Sequence, residues 1–182
     1  MAGSSGALAA LHTGLLGWAV FPEFGPIGAL LVLAAALNFW RLLRWRGSAT
    51  LAEPLLSILH VGYAWLAFGS ALLGLSMLGW WVPQSAAIHA LTAGAIGTMV
   101  LAVMTRAARG HTGRALSADR ATTAIYMLVT GGAVARVAAA FSETWTMLLL
   151  VASASLWIAA FGLFALVYGA MLLLPLRVGQ RQ

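Results

Sequence analysis

Long apolar runs separated by short polar ones organise this chain. Five runs reach membrane-spanning length: Pro26–Leu43, Leu55–Leu78, Ala86–Met104, Ala121–Phe141 and Trp145–Leu174. A bilayer core requires about 17–25 apolar residues per helix, and the last run is long enough to tilt or project beyond it. A sixth run, Gly3–Phe21, is weaker, being rich in small residues with His12 near its middle. The sequence Pro22-Glu23-Phe24-Gly25 makes a turn between it and the next run. The pattern predicts an all-α fold: a polytopic bundle of six transmembrane helices, forming a single domain over residues 1–182.

The charges agree with six spans. Arg41, Arg44 and Arg46 follow the second span, Arg106, Arg109, Arg114 and Arg120 the fourth, and Arg177 and Arg181 the sixth. The alternate loops hold Glu23, a neutral Gly79–Ser85 stretch and Glu143, so nine of the ten arginines share one side. By the positive-inside rule that side is cytoplasmic, with both termini on it. Trp40 and Trp45 fall at this interface, and Trp80, Trp81 and Trp145 at the opposite one, as an aromatic belt requires.

Composition narrows the class further. Hydrophobic residues make up 62% of the chain and charged residues 8%, whereas a soluble domain carries about a quarter charged residues. Lipid must therefore solvate much of the exterior. The net charge of +6 comes from arginine alone, and its placement in short loops between apolar runs is that of topology, so no nucleic acid partner is expected. The absence of cysteine excludes disulfides, thiolate metal sites and a thiol nucleophile. Met1–Gly6 lacks the basic residue of a signal peptide. Gly69 and Gly74, Gly94 and Gly97, and Gly131 and Gly132 read as sites of close helix packing.

An ionisable group within a span is expensive and is a functional candidate by default. His12, His60, His89 and Arg136 qualify. Adjacent spans run antiparallel, so His60 belongs near the cytoplasmic side and His89 near the other; the two should not share one metal ion. His89 and Arg136 belong at similar depth. A neutral imidazole beside a fixed cation suits axial ligation of haem, with the arginine pairing a propionate. Two plainer roles stay open: His89 hydrogen-bonded across helices, and Arg136 snorkelling to headgroups. A second cluster, Arg106, Arg109, His111 and Arg114, reads as a basic cytoplasmic loop with Gly110 as a helix C-cap. With His60 and Glu53 approaching the same side, it suits a metal or propionate site, or simply topological arginines beside a solvated histidine. The seven methionines form no Met-x-x-Met or His-x-Met cluster and read as core. No Walker, Rossmann, nucleophile-elbow or zinc-hydrolase spacing is present.

Two stretches carry a resemblance. One is Pro54–Trp65, PLLSILHVGYAW; the other runs from His89 to Arg106, HALTAGAIGTMVLAVMTR, and on to Gly110-His-Thr-Gly-Arg114. Together they resemble the NnrS family of bacterial membrane proteins, associated with the response to nitric oxide and described as carrying haem and copper. In that family's motif His60, His89, Arg106, His111 and Arg114 stand at the matching positions. Family members are about twice as long, with roughly a dozen spans, and this chain resembles their C-terminal half. The resemblance thus implies a partner, or a second copy of the chain, to supply the ligands of the other half.

The expectation is a haem-binding, and secondarily copper-binding, membrane protein of the defence against nitric oxide, with nitric oxide as a ligand. Cofactor-binding candidates are His89, His60, Arg136 and Arg106; metal-ligand candidates are His60, His89 and His111. A transporter half moving an anion or proton past His60, His89 and Arg136 is the alternative, and a structural subunit of a larger complex a third. No residue set identifies a catalytic activity.

Overall fold

The computed structural model describes residues 2–45, 50 and 52–173. Six helices account for nearly all of them: α1 Ala2–Val20, α2 Gly25–Arg44, α3 Pro54–Met77, α4 Gln84–His111, α5 Arg120–Ala139 and α6 Thr146–Leu173. Helices α2 to α6 are each long and apolar enough to cross a bilayer, while the apolar stretch of α1, Ser5–Val20, is shorter. Arg46, Arg177, Arg181 and the end of the last predicted run at Leu174 lie outside the described residues.

The helix boundaries follow from the residues at them. Glu53 precedes α3 and accepts the Leu55 N–H at 3.2 Å, with Pro54 in the first turn. Asp119 does the same for α5, accepting the Thr122 N–H at 2.8 Å. Each thereby satisfies a donor that the helix itself leaves unpaired. At the C-termini of α3 and α4 the chain turns through Gly79 and Gly113, whose φ values of 78° and 66° suit glycine. Trp80 N then donates to Leu75 O, and Arg114 N to Arg109 O, which closes both ends.

One expectation fails here. The fourth helix does not stop at Met104; it runs on through His111, so most of the predicted basic loop is helix, and Gly113 rather than Gly110 makes the exit turn. Hydropathy drops where arginines begin, but backbone hydrogen bonding continues past the lipid boundary.

Consecutive helices pack side by side, and α4 also packs against α6. One apolar cluster, including Leu55, Leu101, Ile125, Val129 and Tyr168, lies toward the arginine-rich end; another, including Leu31, Leu73, Ala86, Ala90 and Val137, lies toward the opposite end. Half of the α3 window is buried (50%), against 11% for α6. The central helices are thus α3 to α5, and α6 turns most of its surface outward, with Leu148, Ile158, Leu166 and Leu172 exposed. Such a surface is stable only against lipid.

In lipid, helix association depends on close packing rather than on apolar burial. Gly74 faces the backbone of Gly28, Gly69 faces Leu91, and Gly94 lies against the Trp65 ring. Gly97 and Gly132 both make room for Trp157 of α6, which wedges between α4 and α5. Those two helices therefore meet through an indole here, and not through paired glycines.

Candidate functional site

His89 stands in α4 near the end opposite the arginine-rich one, half-buried beside the Ala86–Ala90 core. The Gln84–His89 end of α4 packs against α5, which carries Arg136 in its last turn. Immediately after His89 the backbone changes: Ala90–Ile96 is a seven-residue π-helix. Segments with i→i+5 bonding are uncommon and concentrate at functional sites. The Thr92 hydroxyl donates to Ile88 O at 2.7 Å within this stretch. An apolar groove of about 480 Å³ opens along the same segment, lined among others by Ala93, Ile96, Gly97, Val100, Trp157 and Phe161.

His60 is half-buried in α3 toward the arginine-rich end. Its Nδ1–H donates to Leu56 O at 3.0 Å, which leaves Nε2 with a free lone pair. The ring meets Trp45 edge-on, with centroids 5.9 Å apart. Trp45 also packs on Tyr63, and the Arg41 guanidinium lies over both rings. The Tyr63 hydroxyl donates to the Asn38 side chain, which is fully buried and donates in turn to Ala34 O at 2.7 Å and Ala7 O at 3.2 Å. One amide thus ties α1, α2 and α3 together.

A third polar group gathers around Arg109, which the sequence placed only within a basic loop. Arg109, 6% exposed, donates Nε–H to the Tyr168 hydroxyl at 3.1 Å, Nη1–H to Ala115 O, and Nη2–H to Asp119 and Thr122. Thr122 shares a further hydrogen bond with Tyr168 at 2.7 Å. One turn along α5, the Tyr126 hydroxyl bonds to Thr105. Glu53 accepts the Ala118 N–H at 3.2 Å and so fastens the α4–α5 connection to the start of α3. Burial raises the Asp119 carboxyl, but the Thr122 N–H and hydroxyl and the Arg109 guanidinium outweigh it, and Asp119 sits below the usual carboxylate value. With all three guanidinium nitrogens of Arg109 engaged, this network is a clamp and not an open site. Among ten arginines, nothing in one dimension distinguishes Arg109; Asp119 just before α5, with Thr122 three residues on, was the readable signal.

The remaining candidates are dispersed. Arg106, His111 and Arg114 are exposed at or just past the end of α4, and His12 is exposed in α1, its Nδ1–H donating to Leu8 O at 2.8 Å. All four histidines and all four acidic side chains are among the described residues. Among these no group of three could hold a metal ion. The donor set does not fit a copper centre built by this chain alone, which would need two or more further ligands. The residues that would hold haem are the His89 imidazole and Arg136 on the helix packed against it, with an apolar groove beginning within a turn of His89.

The chain matches the family model described as NnrS protein over residues 2–175 of its 182. The match takes in α1 and α2 with the four helices after them. It covers nearly the whole chain and does not set off a C-terminal half. No curated protein and no solved structure matches.

Proposed function

Because the chain belongs to the NnrS family of nitric-oxide-response membrane proteins, we propose that it acts in that response by binding haem within its helix bundle. The observation that supports this reading is that the His89 end of α4, at the head of the π-helical segment, packs against α5, which carries Arg136 in its last turn. In this reading His89 would hold the haem iron and Arg136 a propionate. The apolar groove lined by Gly97 and Trp157, which begins at Thr92, one turn beyond His89, would give the ring an apolar surface. Haem bound in this way would supply an iron able to take nitric oxide as a ligand. His60, with its free Nε2, and the exposed His111 and Arg106 are the second-site residues. Copper would require donors from a second copy or a partner chain. The arginine-rich end, with both termini, faces the cytoplasm of the bacterial inner membrane.

Detergent-purified chain titrated with haem tests the proposal. It should develop a Soret band that shifts on adding nitric oxide. His89→Ala should lose the band, Arg136→Gln should weaken haem uptake, and His12→Ala should leave both unchanged. Absence of a Soret band in the parent chain, or an identical spectrum in His89→Ala, would overturn it.

A further inference from the structure

The arginine-rich end carries more fixed positive charge than the chain neutralises. By sequence it has nine arginines, and its acidic side chains are Glu53 and Asp119. Both are engaged: Glu53 accepts from Leu55 N and Ala118 N, and Asp119 caps α5 and pairs with Arg109.

Arg41 differs from the exposed arginines in being held in place. Its guanidinium carbon lies 5.0 Å from the Trp45 ring centroid and 5.7 Å from that of Tyr63. Nη1–H donates to the Tyr63 hydroxyl at 3.4 Å, and that hydroxyl is anchored on buried Asn38. The rings fix the guanidinium plane in the last turn of α2, at the level where Trp40 and Trp45 mark the membrane boundary. Among the described residues no carboxylate pairs with it. A guanidinium does not shed its charge, so the counter-ion comes from outside the chain.

We propose that Arg41, framed by Trp45 and Tyr63, is a binding site for the phosphate of an anionic membrane lipid. A planar fork of N–H donors matches two phosphate oxygens, and its orientation is already fixed by the rings. Helices α2 and α3 also bound an apolar groove of about 340 Å³ just inside that level, lined by Phe39, Val61, Ala64, Trp65 and Phe68. It offers room to acyl chains and nothing to a free phosphate ion.

Nanodiscs of phosphatidylcholine, alone or with phosphatidylglycerol, together with native mass spectrometry, test the site. The parent chain should unfold at higher temperature in the phosphatidylglycerol discs and retain that lipid in the gas phase. Arg41→Gln should retain it about fivefold less, the worth of one arginine near a charged surface. Arg41→Lys, which keeps the charge but not the fork, should fall between them, and Arg44→Gln, an exposed neighbour, should match the parent. Equal lipid retention in Arg41→Gln and the parent would overturn the proposal. So would inorganic phosphate, added to lipid-free protein, raising the unfolding temperature as much as the lipid does. Loss of haem uptake in Arg41→Gln would assign the guanidinium to a cofactor carboxylate instead, and would also sink the lipid site.

Discussion

Arg109 and Tyr168, 59 residues apart in sequence, meet through an Nε–H···O bond of 3.1 Å that joins α4 to α6. The same guanidinium reaches Asp119 and Thr122 at the start of α5, so three helices converge on one cation. Arg109→Met should destabilise the fold. Breaking a buried pair costs roughly 3–5 kcal/mol, and the half-exposed Asp119, at 51% side-chain exposure, moves the effect to the low end of that range or below it. Tyr168→Phe should cost less, about 1 kcal/mol. Thermal unfolding in detergent reads both, and a parent-like midpoint for Arg109→Met would remove the clamp from the account.

Acid should loosen the same end. The folded chain holds Asp119 below the ordinary carboxylate value, so its contribution is complete above the unfolded pKa of about 3.9. It is lost as pH falls through the depressed folded value. The unfolding midpoint should therefore be level in neutral and mildly acidic buffer and decline below about pH 4. In Asp119→Asn that acid limb should flatten, and a limb of unchanged depth would place the titrating group elsewhere.

Two threonines two turns apart on α4 should respond in opposite senses. Thr98 is fully buried and its hydroxyl has no partner among the described residues, whereas Thr105 bonds to Tyr126. Replacing an unsatisfied hydroxyl by an isosteric methyl removes a desolvation cost of about 1–3 kcal/mol, so Thr98→Val should be neutral or stabilising. Thr105→Val strands the Tyr126 hydroxyl and should destabilise by a similar amount. Chemical denaturation of the two variants side by side decides it; a loss in both would mean that Thr98 also has a bonded companion, such as water.

Two helix glycines should differ sharply. A Cβ at Gly74 would stand 2.6 Å from the Gly28 carbonyl oxygen, a backbone atom that cannot step aside, while one at Gly162 meets nothing within 4 Å. Gly74→Ala should cost about 1–3 kcal/mol through forced separation of α2 and α3, and Gly162→Ala should be near neutral. Comparable unfolding temperatures for the pair would contradict the packing.

The helical layout and the depth of His89 and Arg136 were legible because a charged or imidazole side chain stands out in an apolar run. The extension of α4 to His111 was not, since hydropathy reports lipid contact and the helix outlasts it. Asn38 escaped attention as a neutral amide, although a buried amide is what ties the first three helices together. Arg109 was hidden among arginines that topology alone accounts for. Recognising it required knowing that Tyr168 and Asp119 converge on its position. The π-helix has no residue signature at all: it is a change in which carbonyl each N–H chooses.

That choice has a consequence for how this protein tolerates insertions and deletions. From Ala90 to Ile96 the hydrogen bonds close wider loops than in the α-helix on either side. Were the stretch to relax to ordinary spacing with all its residues kept, His89 would swing by roughly 100° about the axis, while Arg109, moored farther along, kept its bearing. Excising one residue at the same time would largely undo that swing, because the wider turns already accommodate an extra residue. The azimuth of the imidazole is thus encoded in chain length.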